Sequence, residues 1–170
     1  ARERHIDRRP LTHGRHSVSS LRGESSHQDH PFLAVMTTGT TQETGEVYAM
    51  NFVYSGNFLA QAEGCQFDTA RMVMGINPEN FSWTLTKDET FTCPEVVMVY
   101  SDAGLGKMTR TFHDLYRRHL IRGEYRDKKR PILINNWEAT YFDFNTDKLL
   151  SIAKEAGKLG IEMLVMDDGW

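Results

Sequence analysis

Two carboxylates side by side at the end of an apolar run are the residues whose types and spacing most directly suggest chemistry. Asp167 and Asp168 follow Ile161-Glu162-Met163-Leu164-Val165-Met166 and precede Gly169-Trp170. Adjacent carboxylates are costly to desolvate and raise each other's pKa, so something must offset the cost. Carboxylates accept hydrogen bonds from sugar hydroxyls, and two neighbours can hold two nearby hydroxyls. The plainer use is a turn or a helix cap, because Asp-Gly is a common turn dipeptide. A metal ranks below hydroxyl binding, since no His or third carboxylate stands at ligand spacing. Trp137 and Trp170 come next: an indole packs against the apolar face of a pyranose and leaves its N–H for a hydroxyl, or it serves as a core aromatic. Asn135 and Asn136 carry amides that need partners, structural or substrate-facing. Glu138 has the type of an acid/base, but a lone Glu in a loop is usually solvated.

These residues have to be positioned by what surrounds them. Ile132-Leu133-Ile134 is a short apolar run of the kind buried in a parallel sheet. A helix is expected from Asn145, with Asn145 or Thr146 as its cap; Asp147 suits its positive end, and Leu149, Leu150, Ala153, Ala156 and Leu159 fall at helical spacing. Gly160 ends that helix, and a second strand is expected over Ile161–Met166. Two parallel strands joined by one helix make a right-handed βαβ unit, in which ligands sit at the carboxyl ends of the strands. Trp137 and the Asp pair are at those ends. A single such unit cannot cover both faces of its strands, so the chain reads as a fragment of something larger.

Residues 1–102 follow a different pattern. Strands are expected weakly at His16–Leu21, then at Pro31–Met36, Val47–Tyr54, Phe58–Glu63, Arg71–Ile76 and Glu95–Tyr100. Phe81, Trp83 and Leu85 alternate with Ser82, Thr84 and Thr86, which predicts one more half-buried strand. Seven or so short strands with turn signals between them indicate an antiparallel sandwich. Leu105, Met108, Phe112, Leu115, Tyr116 and Leu120 are spaced as one face of an amphipathic helix, with Gly123 as its stop and Glu124–Arg130 as a charged linker. Ser25-Ser26-His27-Gln28-Asp29-His30 superficially suggests a metal or triad site, but its residues also make ordinary turns. Met72-Val73-Met74 reads as core packing.

Composition excludes several classes. A net charge of -3 over 170 residues gives no nucleic-acid or polybasic membrane signal, and no apolar run has the length of a membrane span. Cys65 and Cys93 form neither a disulfide framework nor a metal-binding spacing, which fits a reducing cytoplasm.

The run Ile132-Leu133-Ile134-Asn135-Asn136-Trp137-Glu138-Ala139-Thr140-Tyr141-Phe142-Asp143-Phe144-Asn145, with Asp167-Asp168-Gly169-Trp170, closely resembles the first two barrel strands of the α-galactosidases of glycoside hydrolase family 36. Upstream, Arg22-Gly23, Ser25-Ser26-His27-Gln28, Pro31-Phe32-Leu33-Ala34, Tyr54-Ser55-Gly56-Asn57-Phe58, Gly75-Ile76-Asn77-Pro78 and Pro94-Glu95 resemble the same family's N-terminal β-supersandwich. Asp29-His30 departs from the usual His-Asn of that loop, and Gly104-Leu105-Gly106-Lys107 is a variant helix entrance. The resemblance implies part of an antiparallel β-supersandwich over 1–104, a linker helix over 105–130 and the start of a (β/α)8 TIM barrel over 131–170. It implies a retaining, exo-acting enzyme that removes terminal α-galactose from melibiose or raffinose-type oligosaccharides, without a cofactor or metal, as a homo-oligomer of the full-length protein. Asp167 and Asp168 match the pair that binds galactose hydroxyls, and Trp137 matches the sugar-contacting tryptophan; Trp170 completes the candidate set. The nucleophile and acid/base belong to later barrel strands, so no catalytic residue is assigned here and the 170-residue chain alone is expected to be inactive. A galactosyltransferase related to raffinose synthase, an α-N-acetylgalactosaminidase and a non-catalytic carbohydrate-binding module are the alternatives.

Overall fold

The computed structural model describes residues 6–169. Short segments, most of them rich in apolar residues, build six strands: β1 (Gly14–Ser19), β2 (Phe32–Met36), β3 (Val47–Val53), β4 (Phe58–Gly64), β5 (Ala70–Ile76) and β6 (Glu95–Ser101). They form two three-stranded antiparallel sheets, ordered β1-β4-β5 and β2-β3-β6. The expected hairpin of Pro31–Met36 with Val47–Tyr54 is the β2–β3 pair, in which Ala34 lies opposite Ala49.

Strand β3 supplies both cores, because successive side chains point to opposite faces. Val47 and Ala49 are buried with Val99, Met108 and Phe112 on one face. Phe52 is buried with Phe58 and Ala60 on the other. Phe58 is fully buried, a contribution of roughly 1.5–3 kcal/mol from its side chain.

The amphipathic helix α1 (Gly104–Leu115) presents Met108 and Phe112 to the first of these cores, and a π-helical turn follows at Tyr116–Leu120. Ala103 offers no side chain to cap it. Instead the Leu105 and Gly106 N–H groups donate to the Thr41 and Gln42 carbonyls at 3.0 and 2.8 Å. That approach explains the glycine-rich entrance, since Gly104 has φ +71 and a Cβ there would stand 2.6 Å from the Thr41 carbonyl oxygen.

One expected strand does not form. Phe81, Trp83 and Leu85 lie in irregular backbone and are exposed, and Phe91 meets the Phe81 and Trp83 rings at 6.0 and 5.0 Å. Alternation describes which face a strand would bury, but a strand also needs a ladder partner, and none of the described strands pairs with this segment. The expected core role of Met72-Val73-Met74 is also divided: Met74 packs against the Phe52–Phe58 cluster, whereas Val73 is exposed.

The remaining elements are β7 (Leu133–Asn135), α2 (Trp137–Thr140), α3 (Thr146–Lys158) and β8 (Met163–Val165). β7 and β8 are parallel, with α3 between them in sequence. Of the two candidate caps Asn145 is the one used, its side-chain oxygen accepting the Lys148 N–H at 3.0 Å, while Thr146 is the first helical residue; Gly160 takes φ +81 beyond the helix end. β8 is shorter than the expected Ile161–Met166, because the Ile161 N–H turns back to the Ala156 carbonyl at 3.1 Å. The chain divides into two compact units, one ending at Tyr116 and the other beginning at Arg117. Among the described residues no helix is long and apolar enough to cross a membrane.

Candidate functional site

The register of the parallel pair decides what meets at its carboxyl end. Leu133 pairs with Met163, Ile134 with Leu164 and Asn135 with Val165. The residues that follow, Asn136 and Trp137 on one side and Met166, Asp167 and Asp168 on the other, therefore leave the sheet at the same end.

Asn136 binds the two exits together. It is fully buried, its backbone N–H donates to the Val165 carbonyl at 3.2 Å, and its side-chain oxygen accepts the Asp167 N–H at 2.8 Å. Its amide nitrogen donates to the Thr140 hydroxyl at 2.9 Å, which ties in the single turn of α2. Both the oxygen and the nitrogen of this buried amide are hydrogen-bonded, as burial requires.

Asn135 reaches across from the exposed side. Its side-chain oxygen accepts the Trp137 N–H at 2.7 Å and its nitrogen donates to Asp167 Oδ2 at 2.6 Å. Asp167 Oδ1 accepts the Asp168 N–H at 2.7 Å, and Asp168 Oδ1 accepts the Gly169 N–H at 2.8 Å. The turn reading and the ligand reading of Asp-Asp-Gly are thus compatible: each carboxylate spends one oxygen on the turn and keeps acceptor capacity in hand. The expectation that the like charges raise each other's pKa is corrected for Asp167. The Asn135 amide, with the Asp168 N–H, holds its carboxyl below the usual Asp value, because hydrogen bonds to the charged form favour it.

Trp137 is half-buried, with the Tyr141 and Phe142 rings edge-on to it at 5.4 and 4.9 Å. Asp167 is half-buried and Asp168 exposed. The structure brings Trp137, Asp167 and Asp168 to one strand end; Trp170 lies outside the described residues. Glu138 sits in α2 instead of a loop, exposed, and accepts the Tyr141 hydroxyl at 3.3 Å. Sequence reasoning left the roles of Asn135 and Asn136 open, and they prove to be the connecting groups. The available signal was an amide pair directly after an apolar strand.

The Ser25–His30 segment takes structural roles. Ser25 donates to the Tyr54 carbonyl at 3.3 Å, and the buried Ser26 hydroxyl accepts the Gln28 N–H at 2.8 Å.

Two family models cover the chain: the glycosyl hydrolase family 36 N-terminal domain matches residues 1–86, and melibiase matches residues 90–170. The chain is 59% identical over 169 residues to alpha-galactosidase AgaA of Geobacillus stearothermophilus, which covers 99% of this chain and 23% of that protein. It is 49% identical over its whole length to the bifunctional alpha-galactosidase/sucrose kinase AgaSK of Mediterraneibacter gnavus, covering 18% of it. The crystal structure of AgaA superposes with a TM-score of 0.93 over 99% of this chain and 24% of AgaA. AgaA variants crystallised with stachyose and with raffinose both superpose at 0.92, again over 99% of this chain and 24% of theirs. The chain thus spans about a quarter or less of the curated relatives it matches. Residues 1–86, which carry β1–β5, match the family's N-terminal domain, and the later residues, β6 and α1 included, fall in the melibiase match. Carrying both models in succession along its length, the chain belongs to glycosyl hydrolase family 36.

Proposed function

We propose that this chain is the part of a retaining, exo-acting α-galactosidase that recognises the terminal galactosyl group of melibiose and raffinose-type oligosaccharides. The single observation that carries this is the strand-end cluster of Trp137, Asp167 and Asp168, joined through Asn135. Asp167 and Asp168 accept galactose hydroxyls, and Trp137 supplies an apolar ring with an N–H at its edge. The names of the relatives and the raffinose and stachyose complexes of AgaA support the same substrate class. They favour hydrolysis of α-galactosides over galactosyl transfer, N-acetylgalactosamine removal or a non-catalytic binding role.

On this reading residues 131–170 open a (β/α)8 barrel, and residues 1–104 form part of a β-supersandwich joined to it through 105–130. Leu133 and Met163, register partners left exposed on one face of β7 and β8, support further structure packed over that face. Cys65 and Cys93 are free thiols, which supports a reducing cytoplasm.

Bond cleavage is assigned elsewhere in the enzyme. A retaining mechanism needs a nucleophile and an acid/base about 5–5.5 Å apart across the glycosidic bond. Asp167 and Asp168 are consecutive at one strand end, with an oxygen of each tied into the same turn, so they cannot flank a bond.

The test is substitution in the complete enzyme. Asp167→Ala and Asp168→Ala each lower kcat/KM for an aryl α-galactoside by about 10- to 100-fold, the worth of a hydrogen bond to a charged group. Near-wild-type values for both would remove the pair from the site. The 170-residue chain by itself has no turnover.

A further inference from the structure

We propose that Asn135 is a positioning residue, whose one amide fixes both the Asp167 carboxylate and the Trp137 backbone at the strand end. This rests on the reading of Asp167 as a galactose-hydroxyl acceptor and assigns how that acceptor is aimed.

Rotation of a carboxylate about its last bond is broad and soft, so an unheld Asp167 would present its lone pairs over a wide range of directions. Two hydrogen bonds remove that freedom. Asn135 Nδ2 donates to Oδ2 at 2.6 Å and the Asp168 N–H donates to Oδ1 at 2.7 Å, one on each oxygen. The carboxylate plane is then set by groups on two different strand exits. About four lone-pair sites are shared by the two oxygens, so each oxygen retains one for a hydroxyl, now in a fixed direction.

The other end of the same amide is equally committed. Asn135 Oδ1 accepts the Trp137 N–H at 2.7 Å, and this fixes which end of the amide faces Asp167. The Trp137 backbone and the Asp167 carboxylate are therefore coupled through one planar group. The strand register makes this possible, because Asn135 pairs with Val165, two residues before Asp167. Preorganising two recognition groups in this way removes an ordering cost from substrate binding.

Two substitutions in the complete enzyme separate positioning from a merely structural turn. Asn135→Asp keeps an oxygen for the Trp137 N–H but cannot donate to Asp167. Asn135→Ser keeps a short turn acceptor that falls short of Asp167. Both are expected to lower kcat/KM for an aryl α-galactoside by about 10-fold or more, the loss of a charge-assisted hydrogen bond. The decisive readout is discrimination against aryl 4-deoxy and 6-deoxy α-galactosides. Wild-type enzyme loses activity when the hydroxyl held by Asp167 is removed, and that penalty is expected to shrink in both Asn135 variants toward its value in Asp167→Ala. An Asn135→Ala/Asp167→Ala double variant is expected to be little worse than Asp167→Ala alone. Wild-type activity in Asn135→Asp, an unchanged deoxy-sugar penalty or fully additive losses would overturn the proposal. If Asp167→Ala itself keeps wild-type kcat/KM, the reading of Asp167 as a galactose acceptor fails instead, and the two failures remain distinct.

Discussion

The side-chain oxygen of the fully buried Asn136 accepts the Asp167 N–H at 2.8 Å, so the backbone that carries the candidate acceptor is held by the neighbouring strand exit. Asn136→Ala leaves that N–H without its partner and frees the Thr140 hydroxyl from the amide nitrogen. A loss of about 1–3 kcal/mol in unfolding free energy is expected, together with faster hydrogen exchange at the Asp167 amide. Unchanged exchange at that amide would show that the bond does not hold the strand end.

Trp137→Ala should raise KM for galactosides by about 10-fold or more, since it removes the ring and its edge contacts with Tyr141 and Phe142. Trp137→Phe should recover part of the loss, because it restores an apolar face without the N–H. Steady-state kinetics on an aryl α-galactoside and on raffinose measure both effects. Equal KM values in wild type and Trp137→Ala would exclude the ring from the sugar site.

Gly104→Ala tests the entrance of α1. A side chain at φ +71 costs about 1–3 kcal/mol, and the added Cβ would press on the Thr41 carbonyl that accepts the Leu105 N–H. Denaturant unfolding of the complete protein should show at least that loss. Gly157, whose added Cβ would meet nothing within 4 Å, is the control position: Gly157→Ala should be neutral or stabilising.

Phe58→Ala should cost about 3–5 kcal/mol, because the ring is fully buried against Phe52 and Ala60 between the two sheets. A thermal melt showing a shift of only a degree or two would mean that this core collapses around the cavity.

Glu63 predicts an acid-sensitive contribution to stability. It lies opposite Arg15 on β1 and Arg71 on β5, and the Arg71 and Arg15 guanidinium groups hold its carboxyl below the ordinary Glu value. A depressed folded-state pKa stabilises the fold above the unfolded-state value of about 4.3, and the contribution is lost as pH falls through the lower folded value. The gap in melting temperature between wild type and Glu63→Gln should therefore be present at neutral pH, narrow as pH falls below about 4.3 and close below the lower folded value. A gap that persists in acid would assign the effect to packing.

Much of the fold was legible because burial writes a period into the chain. Apolar runs bounded by turn residues marked the strands expected at Val47–Tyr54 and Phe58–Glu63, three-and-four spacing through Leu105, Met108 and Phe112 specified a helix, and strict alternation marked a strand at Phe81–Leu85. That last pattern misled, because the alternation is present and the partner strand is not. Periodicity is local, whereas a ladder depends on a segment distant in sequence.

The sequence by itself determined which residues could recognise a sugar: the Asp167–Asp168 pair stands directly after one apolar run, Trp137 stands two amides beyond another, and their side chains carry the needed chemistry. Tertiary structure alone decided how they are joined. Asn135 and Asn136 are 32 and 31 residues from Asp167, and only the parallel register of β7 and β8 brings them within hydrogen-bond reach. The sign of the Asp167 shift followed from that contact. Adjacency in sequence argues for repulsion between two carboxylates, but a hydrogen-bond donor from another strand favours the charged form more strongly.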